Sequence, residues 1–130
     1  MSNGGTGGRQ PIDVARADFL RVLGHPVRVR IVELLRDGER SVGDLQAALG
    51  LDSSGTSQHL GVLRRQGVLE TRRVGTSVLY RVRDPRTFQL LDSARQIVSS
   101  SLEAAQALLG EMATPPPASP RRRGRAPTRR

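Results

Sequence analysis

The stretch from Ser53 to Leu69, SSGTSQHLGVLRRQGVL, constrains this chain more than any other. Leu60 and Leu63, with Val62 beside them, give it the spacing of a helix with one buried face. Ser54, Thr56, Ser57, Gln58 and His59 crowd its first turns with hydrogen-bonding groups. Arg64 and Arg65 follow, and Gly67 supplies a left-handed stop. Two readings fit a short helix of this kind. It is a solvated helix face with a polar cap, or it reads base edges in the major groove of DNA, which admits a helix. On the second reading Gln pairs with adenine, Ser and Thr bond to bases or phosphates, and Arg meets phosphate or guanine.

The charge balance favours a polyanion. Formal net charge is +9, and all 21 basic residues are Arg. The guanidinium fork suits phosphate and guanine, although a GC-rich coding bias would produce the same excess. Nucleic acid is the first partner implied and an anionic membrane surface the second. Aromatic residues make up only 2% of the chain, which argues against stacking platforms for single-stranded bases. There is no Cys, so disulfides, thiolate metal sites and thiol switches are excluded. The opening MSNGGTGGRQP has no apolar run, so no signal peptide is expected. No stretch approaches the ~20 apolar residues of a membrane span. The expected localisation is cytoplasmic.

At 130 residues, one domain with tails is expected. Residues 1–10 are glycine-rich and predicted to be disordered. A first helix is predicted from about Ile12 to Leu23, with Phe19, Leu20 and Leu23 on its apolar edge. Gly24 and His25 break it, and Pro26 opens a second helix to about residue 36. That helix places Val27, Ile31, Leu34 and Leu35 on one face. His25 is expected to cap or pack at the turn, and two roles fit His59: contacting phosphate or bracing the reading helix. Asp37-Gly38 stops the second helix. Ser41-Val42-Gly43-Asp44 matches a capping box for a third helix to about Leu49, ended by Gly50. Two short helices joined by a tight turn, the second carrying a polar face, form the helix-turn-helix pattern.

Val68–Arg73 and Ser77–Val82 read as two strands around a turn at residues 74–76, with Val78, Tyr80 and Val82 sharing a face. A hairpin directly after a reading helix is a wing, and its Arg residues are placed to meet phosphate or the minor groove. Residues 53–83 hold six Arg against Glu70 alone. Asp84-Pro85 then opens a long helix to about Met112. Its stripe of Phe88, Leu91, Val98, Leu102, Ala105 and Leu109 is longer than a small domain needs. Together with Phe19 it is predicted to pair with a second copy, the alternative being packing within one chain. Residues 113–130 read as a Pro-rich spacer and a disordered tail with six Arg and no acid. Within the tail, Arg-Arg-Gly-Arg-Ala-Pro at 122–127 resembles an AT-hook core with Ala126 interrupting. Insertion into the minor groove and a nonspecific polycation both fit it.

LGHPVRVRIVELL at 23–35, SVGDLQAALGL at 41–51 and SGTSQHLGVLRRQGVLETRRVGTSVLYRV at 54–82 resemble the ArsR family of winged helix-turn-helix repressors. The likeness spans about residues 15–100. It implies a mainly α fold of order ααααββα, a homodimer through the first and last helices, and repression at a palindromic operator. It also implies that Ser54, Thr56, Ser57, Gln58 and His59 face the major groove, and that Arg73, Gly75 and Thr76 form the wing tip. Many members of the family sense metals through Cys-Val-Cys in the third helix, where this chain has Ser41, Val42 and Gly43. Others use carboxylate and His pairs on the last helix, where Asp92 has no nearby His. Such sites need N or S ligands at close spacing, so no metal or other cofactor is expected.

The sequence therefore predicts a non-enzymatic, dimeric repressor of double-stranded DNA, comprising residues 11–112. Its DNA contacts would be Ser54, Thr56, Ser57, Gln58, His59, Arg64, Arg65, Arg72, Arg73, Gly75 and Thr76. No membrane partner is expected, and no motif names an effector. Two alternatives are a sequence-tolerant architectural DNA-binding protein and a regulator acting mainly by protein–protein contact. No nucleophile–base constellation or phosphate loop supports catalysis.

Overall fold

A computed structural model describes residues 11–113. The segment 1–10 and the expected Arg-rich tail lie outside the described residues. The elements run α1 (Ile12–Leu23), α2 (Pro26–Leu34), β1 (Arg40–Ser41), α3 (Val42–Leu49), α4 (Ser53–Arg65), β2 (Leu69–Val74), β3 (Ser77–Val82) and α5 (Arg86–Ala113).

Local chemistry sets most of these boundaries. His25 is extended at the N-cap of α2, and its Nδ1 accepts from the Val27 backbone N–H at 3.1 Å, beside Pro26 in the first helical position. Ser41 Oγ accepts from the Asp44 N–H at 3.2 Å to open α3. Asp52 Oδ1 accepts from the Gly55 N–H at 2.8 Å to open α4. At the other end of α4, Gly67 has φ 84°. Its N–H donates to the Arg64 carbonyl at 3.0 Å, and the Val68 N–H donates to Leu63 at 2.9 Å. This double bond pattern is the Schellman stop, and it needs the left-handed residue that glycine supplies. The second helix ends at Leu34, two residues earlier than the sequence predicts.

The division after Leu91 gives two units. In the first, Val22, Leu23, Ile31, Val32, Leu35, Leu45, Leu60, Leu63, Val68 and Leu69 form the buried core. Each contributes about 1.5–3 kcal/mol when its side chain leaves water. The sheet is antiparallel, in the order β1-β3-β2. Leu69 pairs with Val82 and Thr71 with Tyr80; Tyr80 and Val82, which the alternation placed on one face, pack against the core. Val74 pairs with Ser77, which shortens the predicted turn to Gly75 and Thr76. The order ααααββα holds for the larger elements. The structure adds β1, whose Arg40 and Ser41 pair with Tyr80 and Leu79. The second unit contains the remainder of α5. Among the described residues, no helix is long and apolar enough to cross a membrane.

Candidate nucleic-acid interface

Leu60 and Leu63 anchor α4 in the core, and at about 100° per residue this fixes what the opposite side presents. Ser54, Ser57, Gln58, Gly61, Arg64 and Arg65 fall within an arc of about 120°. Ser54, Ser57, Gln58, Arg64 and Arg65 are exposed. Ser54 Oγ makes a long bond to Asp52 Oδ2 at 3.4 Å. The others have no hydrogen-bonded or ion-paired partner among the described residues. The arc therefore offers hydroxyl, amide and two guanidinium groups with their hydrogen-bonding capacity unused.

Two residues expected on this face are not on it. Thr56 is fully buried, and its hydroxyl donates to the Asp52 carbonyl at 2.9 Å. It lies about 160° round the helix from Ser54, on the side of Leu60 and Leu63. The polar name of Thr concealed its position on the apolar stripe, since 56, 60 and 63 follow the spacing i, i+4, i+7. His59 lies about 140° from Ser54 and is half-buried. Arg28 Nε donates to its Nδ1 at 3.2 Å, and Arg28 Nη1 reaches the Val22 carbonyl at 3.3 Å. The His59 ring sits 4.6 Å from that of His25, centroid to centroid. Burial, then the neighbouring His25 and Arg28, lowers the His59 pKa from the ordinary 6.5. His59 is thus a neutral brace between α2 and α4, the second of the two roles that fit its sequence position, although nothing in the sequence pointed to Arg28, 31 residues away, as its partner.

On the wing, Arg72 and Arg73 point to opposite faces and meet different fates. Arg72 forks onto Glu39, with Nε to Oε2 at 2.8 Å and Nη2 to Oε1 at 2.7 Å. Arg81 is paired with Glu70 at 2.7 Å, and Arg83 lies 3.9 Å from the same carboxylate. Arg72 is therefore removed from the list of uncommitted phosphate contacts. Glu39 carries a lowered pKa for the matching reason, chiefly its bond with Arg72. Arg73 is exposed with no ion pair among the described residues, and Gly75 (φ 62°) and Thr76 are exposed at the tip. At the wing base, Asp84 caps α5 by accepting from the Arg86 N–H at 2.9 Å. Its pKa is pushed down to about 2, mainly by the Arg86 side chain.

The predicted pairing surface is also redistributed. Phe19, Phe88 and Leu91 pack against the domain's own core, which is the intramolecular alternative for those three. In the same unit Ile12, Val14, Leu20 and Leu90 are exposed instead. Ile12, Ala15, Phe19, Leu20 and Leu90, with Arg16, line an apolar groove of about 390 Å³. In the second unit Val98, Leu102, Ala105 and Leu109 are exposed, together with Ile97, Leu108 and Met112, which the sequence reading left out. Among the described residues, no group of three or more His, Cys, Asp or Glu is arranged to hold a metal ion.

A three-stranded winged helix-turn-helix with an unpaired polar arc on its second helix defines a DNA-binding class. Comparison with known proteins agrees. A family model described as a helix-turn-helix domain matches residues 23–72. The HTH-type transcriptional regulator Rv0081 of Mycobacterium tuberculosis (strain H37Rv) is 41% identical over 104 residues, covering 79% of this chain and 91% of that protein. The crystal structure of M. tuberculosis Rv0081 superposes with a TM-score of 0.68 at 42% identity, covering 75% of this chain and 98% of that one. The biofilm growth-associated repressor of Xylella fastidiosa (strain Temecula1) is 42% identical over 77 residues, 59% of this chain and 68% of the relative. A solution structure from Mycobacterium bovis, described as the homodimeric winged helix-turn-helix DNA-binding domain of a possible ArsR-family transcriptional regulator, matches with a TM-score of 0.66 at 27% identity. It covers 75% of this chain and 94% of that one. The chain belongs to the ArsR family of winged helix-turn-helix transcriptional regulators. It is a regulator with a DNA-binding fold, not an enzyme.

Proposed function

We propose that this protein is a cytoplasmic, sequence-specific repressor that binds a palindromic operator as a homodimer and does so without a metal-sensing site. The observation that carries this reading is the exposed arc of α4. Ser57, Gln58, Arg64 and Arg65 spend none of their hydrogen-bonding capacity within the described fold, although Asp and Glu residues elsewhere engage most nearby Arg. Ser54, Ser57 and Gln58 face bases or phosphates, while Arg64, Arg73 and the Gly75–Thr76 tip add backbone contacts. Homodimerisation rests on the exposed apolar side chains of α1 and α5, Ile12, Leu20, Ile97, Leu102 and Leu109 among them, since exposed apolar surface of this kind marks interaction sites. In such a dimer two α4 helices would address half-sites about one helical turn, ~34 Å, apart. Residues 11–112 carry binding and pairing, and the Arg-rich segment beyond them extends the phosphate contacts. The absence of Cys, with Ser41 and Gly43 at the family's thiolate positions, supports the metal-free reading.

The test is selection of bound genomic fragments by the purified protein, followed by fluorescence anisotropy on the recovered site and on a scrambled duplex. An inverted repeat with at least 10³-fold preference over scrambled duplex is the expected result. Binding to the recovered site should collapse in the Ser57→Ala/Gln58→Ala double variant. Equal affinity for both duplexes, or a monomer at working concentration, would overturn the reading.

A further inference from the structure

Gly61 occupies the interior of α4, a position where glycine is the poorest helix former after proline. It also lies at the centre of the exposed arc, between Ser54, Ser57 and Gln58 on one side and Arg65 on the other. A Cβ built on Gly61 would lie 3.1 Å from Arg65 Nη1, 3.9 Å from Cζ and 4.0 Å from Nη2. The whole guanidinium therefore rests over the backbone of residue 61. That direction is the ordinary one, because a helical side chain leans back over the turn four residues earlier. What is unusual is that nothing occupies the space beneath it. Arg65 has no carboxylate partner among the described residues, whereas Arg72, Arg81 and Arg86 are all engaged by acids.

We infer that Gly61 and Arg65 act as a pair that reads guanine. The missing side chain at 61 lets the guanidinium lie in the middle of the reading arc, rather than at its C-terminal edge, and lets the helix backbone approach the groove floor. A guanidinium fork held there matches the O6 and N7 acceptors that guanine alone presents side by side in the major groove. Arg64 falls at the margin of the arc and is left to phosphate. This inference rests on the proposed function above and names the base and the residue responsible for one position of each half-site.

The experiment measures affinity for the selected operator and for the set of operators with each base pair of the half-site changed in turn. It uses wild type, Arg65→Ala, Arg65→Lys, Gly61→Ala and Arg64→Ala, with circular dichroism on each. Wild type should lose about 5- to 150-fold when one particular G·C pair is replaced. Arg65→Ala should erase that preference and leave the other positions unchanged. Arg65→Lys should keep only part of it. Gly61→Ala should weaken the same preference while raising the thermal midpoint by about 2–6 °C, because alanine favours the helix. Arg64→Ala should weaken binding to every operator alike and reduce the salt slope by about 1. If wild type prefers its operator but Gly61→Ala and Arg65→Ala keep the wild-type base profile, the pairing is wrong and the repressor reading stands. If wild type shows no base preference at all, the repressor reading itself fails.

Discussion

Replacing Thr56 by Val separates the interior of α4 from its reading face. The Thr56 hydroxyl donates to the Asp52 carbonyl at 2.9 Å, and the Thr56 N–H donates to the same oxygen at 3.1 Å. Val keeps the side-chain volume and the β-branch, so no cavity opens. The carbonyl also keeps its backbone donor, so no buried acceptor is orphaned. The loss is then the net value of one hydrogen bond at the lower end of its range, about 0.5–1 kcal/mol. Thr56→Ala adds the removal of a buried methyl group in a fully closed site, for about 1.5–2.5 kcal/mol in total. For a domain of this size, 1 kcal/mol corresponds to about 4–8 °C in the thermal midpoint. Urea unfolding at fixed protein concentration, which cancels any linkage between self-association and folding, gives the stability ranking. Anisotropy on the operator gives the affinity of the folded protein. The expected order of stability is wild type, then Thr56→Val, then Thr56→Ala, with operator affinity of the folded fraction unchanged within about twofold. A Thr56→Val protein of native stability that binds its operator tenfold more weakly would return Thr56 to the reading face and refute the placement.

Other consequences are equally direct. Arg72→Ala should change DNA affinity little in wild type, but more in a Glu39→Gln background, where Arg72 is freed for phosphate; equal losses in both backgrounds would show that Glu39 does not hold it. His59 binds its proton less readily in the folded chain than in the unfolded one. Its contribution to stability is therefore complete above about pH 6.5 and lost as pH falls toward its lower folded value, since the unfolded chain then takes up the proton. Urea midpoints from pH 7.5 to 5.5 should fall in wild type and fall less steeply in His59→Gln; parallel slopes would remove the brace from the account. Gly67→Ala forces a side chain into the left-handed turn that ends α4 and should cost about 1–2 kcal/mol, measured by the same unfolding; a neutral result would mean that the stop can re-form elsewhere.

Much of this protein was legible as a string of local instructions. The Ser41–Asp44 cap, Pro26 after His25 and Gly67 after Arg64–Arg65 each act within four residues, so the sequence could announce them. The apolar stripe of Leu60 and Leu63 likewise fixed which side of α4 faces inward. The alternation of Val78, Tyr80 and Val82 did the same for the wing. These patterns set the helices, the hairpin and the family resemblance, and with them the class of function.

The sequence could not assign individual side chains whose partners lie far along the chain. Strand β1 is two residues long and exists only because Tyr80 and Leu79 supply its hydrogen bonds. Arg72 reads like Arg73 until the fold brings Glu39, 33 residues away, within 2.7 Å of it. His59 reads like its polar neighbours until α2 places His25 and Arg28 beside it. Thr56 reads as a polar contact until the core closes over it. Local spacing determines which backbone forms, because its interactions lie within a turn or two. Which polar groups remain free to meet DNA depends on long-range pairings, and only the closed tertiary structure creates those.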